Sequence, residues 1–357
     1  MRSSLFMRLI TLVMAVVMLS GLMAACGQDA PATTEGTKPD ATTEALPETT
    51  QREVTVVGDK LRHMTYNIAG STGMDRVPNF DTNETKRENL KKIILEIDPD
   101  TFGVQEAPRA WIDGLPGLLD NKYTMVGGND PAITNNVFWF NPIYYKTEKF
   151  NCIDSGVKFL NEGFAFEGNN RNCAYALLER ISDGELVMLV SLHLEHRALG
   201  TDELKEQNYF NYYVDNADQN CLRDEQVKYL CQVINDKLTE YAATHDKEIS
   251  VIASGDFNIN YWTDEDFTHE YTRLCESMAG IEKASHMQDS ATVAANLVTN
   301  QTREKWATYR EGTPSRIDYI FMTNNLVVDT YTVYKTPVDV GVSSDHDPSY
   351  VDYFIGH

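Results

Sequence analysis

The sequence is short of basic residues, with 31 Lys and Arg against 53 Asp and Glu and a formal net charge of -22. A protein that holds a polyanion along its backbone needs a broad patch of Lys and Arg to neutralise the phosphates. Extended binding of nucleic acid is therefore disfavoured. A local cationic centre, such as a bound metal ion, is compatible with this charge.

Cysteine is also scarce, with six residues in 357, and no group of Cys and His has the spacing of a zinc site. At 42% hydrophobic and 24% charged residues, the chain can bury a core without disulfides or a structural metal. Small disulfide-framework classes are excluded. Five cysteines follow Cys26, and because this number is odd at least one stays unpaired outside the cytoplasm. We expect mostly buried thiols.

The first 26 residues have the layout of a signal peptide. Arg2 and Arg8 precede an uncharged, mostly apolar stretch over residues 9–25, which ends in small residues before Cys26. This end resembles a bacterial lipobox, in which Cys26 is lipidated and becomes the mature N-terminus, although Met23 departs from the usual Leu. The alternative is an uncleaved membrane anchor, since about 17 apolar residues is the lower end of the spanning range. We expect an extracytoplasmic protein, membrane-anchored or secreted.

Residues 27–53 are rich in Thr, Pro and acidic residues and contain no aromatic residue. Such a segment cannot offset its ordering entropy by burial, so we expect a disordered tether. Residues 54–357 show no composition break, repeat or low-complexity run, and we expect one monomeric domain there.

Helix-like and strand-like segments alternate through this domain. Leu90, Ile93, Ile94 and Ile97 have helical spacing before Pro99, and residues 227–241 repeat that pattern over a longer stretch. Short strands outnumber helices, which favours packed sheets covered by helices. The strand candidates include Leu61 to Asn67, Thr101 to Gln105, Asn136 to Phe140, Leu186 to Leu194, Glu248 to Ser254, Arg316 to Met322 and Leu326 to Tyr334.

Polar residues that could take part in catalysis or bind a metal ion lie at or near the ends of these strands. They are Asn67, Glu106, Asp256, Asn258, Asp318, Asp345 and His346. Taken singly, each is more often a turn residue or a helix cap.

Taken together and in this order, these motifs resemble the endonuclease/exonuclease/phosphatase superfamily, whose DNase I-like fold is shared by metal-dependent phosphoesterases. The resemblance covers residues 60–354, and Ser191–Leu194 and Arg223 with Gln226 strengthen it. It implies a four-layer α/β sandwich, in which helices flank two packed mixed β-sheets and the active site lies where the strand ends converge.

Phosphoester hydrolysis requires an activated water and neutralisation of charge on the phosphoryl oxygens. Asn67, Glu106 and Asp345 offer hard oxygen ligands suited to Mg²⁺ or Mn²⁺. The resemblance implies that Asp256 and Asn258 position the nucleophilic water and the phosphate. It further implies that His346 contacts the phosphoryl group while Asp318 orients the His346 ring.

Two further residues are candidates on the same grounds. Strand alternation places Ser191, His193 and Glu195 on one face of their strand. In branches resembling DNase I and the sphingomyelinases, a His at this motif is a general acid or phosphate ligand, whereas the alternative for His193 is ordinary packing. Arg171 matches an Arg that contacts phosphate in several branches, and a surface salt bridge is its alternative.

The function expected is therefore hydrolysis of a phosphomonoester or phosphodiester by in-line attack of an activated water. A DNase I-type nuclease and a sphingomyelinase-like phospholipid hydrolase are the enzymatic alternatives, and a solute-binding lipoprotein is the non-enzymatic one. The substrate stays open. The aromatic insertion between Leu199 and Asn220 could hold a ring of the substrate or could pack as a helical cap.

Overall fold

The computed structural model describes residues 54–68, 84–107, 109–128, 140–160, 171–196, 222–261, 270–296, 303–309, 314–336 and 344–357. The predicted signal peptide with Cys26, the tether and the insertion between Leu199 and Asn220 lie outside these ranges. No helix within them is long and apolar enough to cross a membrane. Four cysteines in this part of the chain are free thiols. Cys173 is buried, but Cys152, Cys231 and Cys275 are half-buried, so the expectation of mostly buried thiols is wrong for the described cysteines.

Twelve strands and six helices make up the described part of the chain. In chain order they are β1 (Val56–Asn67), α1 (Glu84–Ile97), β2 (Thr101–Gln105), α2 (Arg109–Leu118), β3 (Tyr123–Val126), β4 (Ile143–Lys146), β5 (Phe150–Phe159), β6 (Asn172–Arg180), β7 (Leu186–His193), α3 (Leu222–Ala242), β8 (Ile249–Asp256), α4 (Glu270–Ala279), β9 (Met287–Asp289), α5 (Ser290–Val293), α6 (Arg303–Trp306), β10 (Asp318–Thr323), β11 (Leu326–Val333) and β12 (Ser349–Gly356).

The strands form two six-stranded sheets. One has the order β11-β12-β1-β2-β4-β3 and the other β5-β6-β7-β8-β10-β9. Each sheet is mixed, because β1 runs parallel to β2 and β7 runs parallel to β8 while the other pairs are antiparallel. The expected two-sheet architecture is confirmed.

Three apolar clusters fill the spaces between the layers of the sandwich. The first joins α1 and α2 to the outer face of the first sheet, and the second joins α3 and α4 to the outer face of the second sheet. The third lies between the two sheets. Strand β7 shows how the sequence divides between layers, since Val190 and Leu192 face α3 whereas Val187 and Leu189 face the other sheet.

Both predicted helices form, and the strand predictions hold with shifts of boundary, the largest at β1, which begins at Val56 rather than at Leu61. Strand β8 runs two residues past Ser254 to Asp256, and β10 begins at Asp318 rather than at Arg316. Residues 136–139 of one predicted strand lie outside the described residues, and Phe140 makes only an isolated bridge with Ala107.

Two glycines allow close approaches near the carboxyl ends of β2 and β8. A Cβ on Gly103 would lie 2.5 Å from the Ser191 hydroxyl of the facing sheet. A Cβ on Gly255, which has a φ of 153°, would lie 2.0 Å from the Leu192 carbonyl oxygen. Any other residue would therefore separate elements that carry the polar strand ends.

His63 joins the two sheets in the buried interior. Its Nδ1 hydrogen-bonds Thr101 Oγ1 in its own sheet and its Nε2 hydrogen-bonds Ser254 Oγ in the facing sheet, each at 2.8 Å. Burial lowers the pKa of His63 to about 3, so the ring is neutral and fixes the sheets through one donated and one accepted bond.

Candidate active site

The parallel strand pair of each sheet ends at the same place. In one sheet Asn67 of β1 lies level with Gln105 of β2, which brings Glu106 next to it. In the other sheet His193 of β7 lies level with Asp256 of β8. Because parallel strands present their carboxyl ends at one edge, both sheets deliver polar side chains to a common site.

Asp256 lies at the centre of this site. Its Oδ2 accepts a hydrogen bond from Asn67 Nδ2 at 3.0 Å, and it lies 3.5 Å from His193 Nε2 and 3.8 Å from His346 Nε2. Its Oδ1 accepts the backbone N–H of Asn258 at 2.9 Å. One carboxylate thus connects four of the residues predicted from the sequence.

Asp318 and His346 reach the site from elsewhere in the chain. Strand β10 runs antiparallel to β8, so its first residue, Asp318, lies level with Asp256. The expected hydrogen bond is present, with His346 Nδ1 lying 2.8 Å from Asp318 Oδ2. Asp256, Asp318 and His346 each offer one side-chain atom that could bind a metal ion, and these three atoms lie within 4.8 Å of one another.

Ser344 fixes the backbone that carries His346. Its hydroxyl donates to the Asn67 carbonyl oxygen at 2.6 Å and accepts the His346 N–H at 3.0 Å. The segment before β12 is therefore attached to the end of β1.

The two histidines differ in charge. Burial lowers the pKa of His346, but the Asp318 and Asp256 carboxylates outweigh burial and raise it to about 10. Burial, together with the positive charges of Arg171 and His346, holds the pKa of His193 well below its ordinary value of 6.5. At neutral pH His346 is an imidazolium and His193 is a neutral imidazole.

The surroundings of Asp256 raise its pKa above the ordinary value of an Asp. Burial and the neighbouring Asp318 carboxylate raise its pKa to about 7, although His346 and the hydrogen bond from Asn67 oppose that shift. A carboxylate with this pKa can accept a proton at neutral pH more readily than an ordinary one.

Asn67, itself a predicted cation ligand, connects Asp256 to Glu106. The amide nitrogen of Asn67 donates to Glu106 Oε1 at 3.3 Å as well as to Asp256, so its amide oxygen is the atom that a cation would bind. Asp345 is half-buried, and its Oδ1 lies 3.5 Å from the Ser344 hydroxyl. These carboxylate and amide oxygens fit Mg²⁺ or Mn²⁺ by their chemistry.

Lys86 shows that Glu106 and Asp345 face the same region. The charges of both carboxylates act on the buried Lys86 ammonium, although burial dominates and lowers its pKa to about 8. Sequence analysis did not single out Lys86. The sequence could have indicated that Lys86 is buried, because it lies four residues before Leu90 on the apolar face of α1.

Arg171 is buried, so its salt bridge is not the surface contact weighed as the alternative. Its Nε lies 3.6 Å from Glu195 Oε2, and its guanidinium hydrogen-bonds His196 at 3.3 Å. Burial lowers the pKa of Arg171, while Glu195, Asp256 and Glu106 oppose the shift. Its positive charge is therefore directed at the acidic site. Strand alternation had placed Glu195 on this face, but its role as the partner of Arg171 was not predicted.

Asn258 has a left-handed backbone, with a φ of 53°. Its side-chain amide donates to the Leu194 carbonyl oxygen at 3.0 Å, which joins the segments that follow β7 and β8. Glu106 has a similar φ of 54°. Such values are uncommon outside glycine, and Asp98, Asp120 and Asn121 share them in the turns that follow α1 and α2.

Comparison with known proteins supports a phosphoesterase fold. The sequence model of the Endonuclease/Exonuclease/phosphatase family matches residues 64–346. A search of curated protein sequences gave no significant match.

Solved structures with the same fold share little sequence with the chain. An endonuclease/exonuclease/phosphatase from Bacteroides vulgatus is 19% identical with a TM-score of 0.59, covering 84% of this chain and 100% of that one. A mannosyl-6-phosphatase from Bacteroides thetaiotaomicron is 20% identical with a TM-score of 0.57 (82% and 99% covered). The human nocturnin catalytic domain, which carries a sulfate, is 17% identical with a TM-score of 0.58 (85% and 98%).

Proposed function

The chain belongs to the endonuclease/exonuclease/phosphatase family, whose members are hydrolases acting on phosphoester bonds, and from this premise we propose that it is an extracytoplasmic, metal-dependent phosphoesterase. It hydrolyses a phosphomonoester or phosphodiester by in-line attack of an activated water. The observation that carries this proposal is the buried carboxylate of Asp256, which lies within 4 Å of Asn67, His193 and His346.

Asp256 is the group that accepts the proton of the attacking water. Burial and the Asp318 carboxylate raise its pKa, which makes it a stronger base than an ordinary Asp. Asn258 donates its backbone N–H to the other oxygen of this carboxylate, which fixes the orientation of the base.

His346 and Arg171 supply fixed positive charge for the phosphoryl group. His346 is held as an imidazolium by Asp318, and the Arg171 guanidinium is held by Glu195. Buried cations stabilise charge that develops on the phosphoryl oxygens more strongly than solvated ones do.

Glu106, Asn67 and Asp345 would hold Mg²⁺ or Mn²⁺ beside these groups. The bound cation would supply Lewis-acid charge to a phosphoryl oxygen. Asn67 donates to both Glu106 and Asp256, so it couples the position of the cation ligands to that of the base.

His193 would act on the leaving oxygen. In the free protein its ring is neutral, so it donates a hydrogen bond from Nε2–H or must gain a proton as the anionic phosphate binds. If it gains a proton, His193 can donate that proton to the leaving oxygen, which is general acid catalysis and matters most for a poor leaving group.

The net charge of -22 favours a small phosphoester over an extended nucleic acid. A sugar phosphate is compatible with the fold likeness to a mannosyl-6-phosphatase. The nuclease alternative has support from a fold likeness to a protein complexed with a single-strand DNA product, with a TM-score of 0.54.

The test is turnover by the purified protein, with Mg²⁺, on sugar phosphates, inositol phosphates, a phospholipid head-group ester and single-strand DNA. Asp256→Asn should lower kcat by about 10²-fold or more, whereas the matched control Asp329→Asn, which lies near Lys60 at a sheet edge, should not. EDTA should abolish turnover. Tight binding without turnover anywhere in the panel would instead support a solute-binding lipoprotein.

The extracytoplasmic location rests on the N-terminal sequence. Cys26→Ser should release the protein from the membrane fraction or leave an uncleaved precursor. Unchanged fractionation with unchanged size would favour a spanning anchor over a lipidated cysteine.

A further inference from the structure

Thr308 is a fully buried residue that contacts two segments of the candidate site. Its side-chain Oγ1 accepts the backbone N–H groups of Ile317 and Asp318, at 3.2 and 3.1 Å. Its own backbone carbonyl accepts the N–H of Asp347 at 2.7 Å. One residue therefore holds the residue that begins β10 and the residue that follows His346.

The next residue extends this connection. Tyr309 forms an antiparallel bridge with His346, and the centroids of their rings lie 5.1 Å apart. Residues 308 and 309 thus lie against the backbone of His346 on one side and against that of Asp318 on the other.

The topology explains why β10 needs an acceptor here. Strand β9 pairs only with residues Phe321–Thr323 of β10. The first residue of β10 pairs with β8 and has no β9 residue beside it, and Thr308 provides the acceptor at this end. Without that hydroxyl, two buried N–H groups would lose their partner, and the backbone would shift to recover one.

We propose that Thr308 is a positioning residue, whose hydroxyl sets the distance between the Asp318 carboxylate and the His346 ring. This inference rests on the proposed function, because the Asp318–His346 pair is part of the proposed catalytic machinery. A shift of about 1 Å in a catalytic group can cost about 10²-fold in rate. Loss of the hydroxyl should therefore lower kcat with little change in KM, because Thr308 is fully buried and its hydroxyl binds backbone N–H groups.

The test compares Thr308→Ser with Thr308→Ala, which differ by a single oxygen atom. Both lose the methyl group, so packing losses are common to the pair. Thr308→Val, compared with the natural protein, repeats the removal of the oxygen at nearly constant volume if Thr308→Ala does not fold. The control is Thr323→Ala, because the Thr323 hydroxyl is also buried and accepts a backbone N–H, that of Val251 at 3.0 Å, at the other end of β10.

Two readouts are measured on the purified full chain. The first is kcat and KM on the best phosphoester. The second is the low-field NMR resonance of the His346 Nδ1 proton shared with Asp318, assigned by its loss in His346→Gln. The NMR signal does not require turnover, so it tests this inference even if the proposed function fails.

We expect Thr308→Ala to lower kcat by about 10²-fold and to lose or shift the low-field resonance, and Thr308→Ser to retain both. Thr323→Ala should lose thermal stability but keep both readouts. Equal effects of the Ser and Ala variants, an unchanged resonance in Thr308→Ala, or an equal loss of kcat in Thr323→Ala would overturn the proposal.

Discussion

The charge of His346 depends on the Asp318 carboxylate. Asp318→Asn removes this negative charge while keeping the shape of the side chain. In the folded protein burial alone would lower the pKa of His346, yet Asp318 and Asp256 raise it from 6.5 to about 10. Each pKa unit corresponds to about 1.4 kcal/mol, so the shift favours the charged ring by on the order of 5 kcal/mol. With Asn at position 318, we expect the pKa of His346 to fall towards or below its ordinary value.

The effect on stability has a defined sign. Because the folded pKa of His346 is raised, its contribution to the free energy of unfolding is complete below about pH 6.5 and is lost as pH rises towards 10. The same carboxylate raises the pKa of Asp256, so its removal also relieves a repulsion between two acids. The net loss near pH 6 should therefore be smaller than the His346 shift implies, roughly 3 kcal/mol, and should shrink as pH rises.

An NMR titration of the His346 ring in EDTA, where no cation competes with its proton, measures the protonation of this ring directly. Urea unfolding of both proteins across the same pH range measures the stability difference. A His346 ring that titrates near pH 6.5 in the natural protein, or one that titrates identically in Asp318→Asn, would refute the argument that Asp318 holds the imidazolium.

Three further predictions concern the cation ligands, the leaving group and the fold. Added Mg²⁺ should raise the Tm of the natural protein and of the control Glu248→Gln but not that of Glu106→Gln, since a ligand at 100 times its Kd adds about 2.7 kcal/mol to stability; an equal rise in all three would remove Glu106 from the cation site. His193→Ala should lower kcat/KM by about 10²-fold or more on an alkyl phosphoester and much less on a nitrophenyl ester, whose leaving group needs no proton, and equal losses would contradict general acid catalysis. Gly255→Ala should cost roughly 2–4 kcal/mol in urea unfolding, because its Cβ would overlap the Leu192 carbonyl, and an unchanged midpoint would contradict the close approach.

The positions of the candidate residues along the strands could be predicted from the sequence, because strand ends are local features. Asn67 and Asp256 each follow an apolar run, and alternation along β7 put His193 on the face opposite Val190 and Leu192, as the structure has it. The meeting of these side chains required the register of parallel pairs in two different sheets. That register depends on contacts between residues far apart in the chain, which only the resemblance to a family supplied.

The charge states of the site could not be predicted from residue types. A sequence gives His193 and His346 the same ordinary pKa. Burial lowers the pKa of both rings. The pKa of His346 is nevertheless raised, because this ring contacts Asp318. Thr308 was missed for a related reason, since its hydroxyl matters only where β9 ends short of the start of β10.

The proposed preference for a small phosphoester follows from the contrast between the whole protein and its site. The positive groups are nearly inaccessible, with exposures of 2% for Arg171, 4% for His346 and 9% for Lys86. Their attraction acts on a phosphate that has entered the site, where water is scarce and screening is weak. Outside the site, the field is set by an excess of 22 negative charges, which repels a polyanion along its whole length. A small substrate brings one phosphate past this repulsion to the buried cations. A long nucleic acid is repelled at every phosphate that stays outside the site.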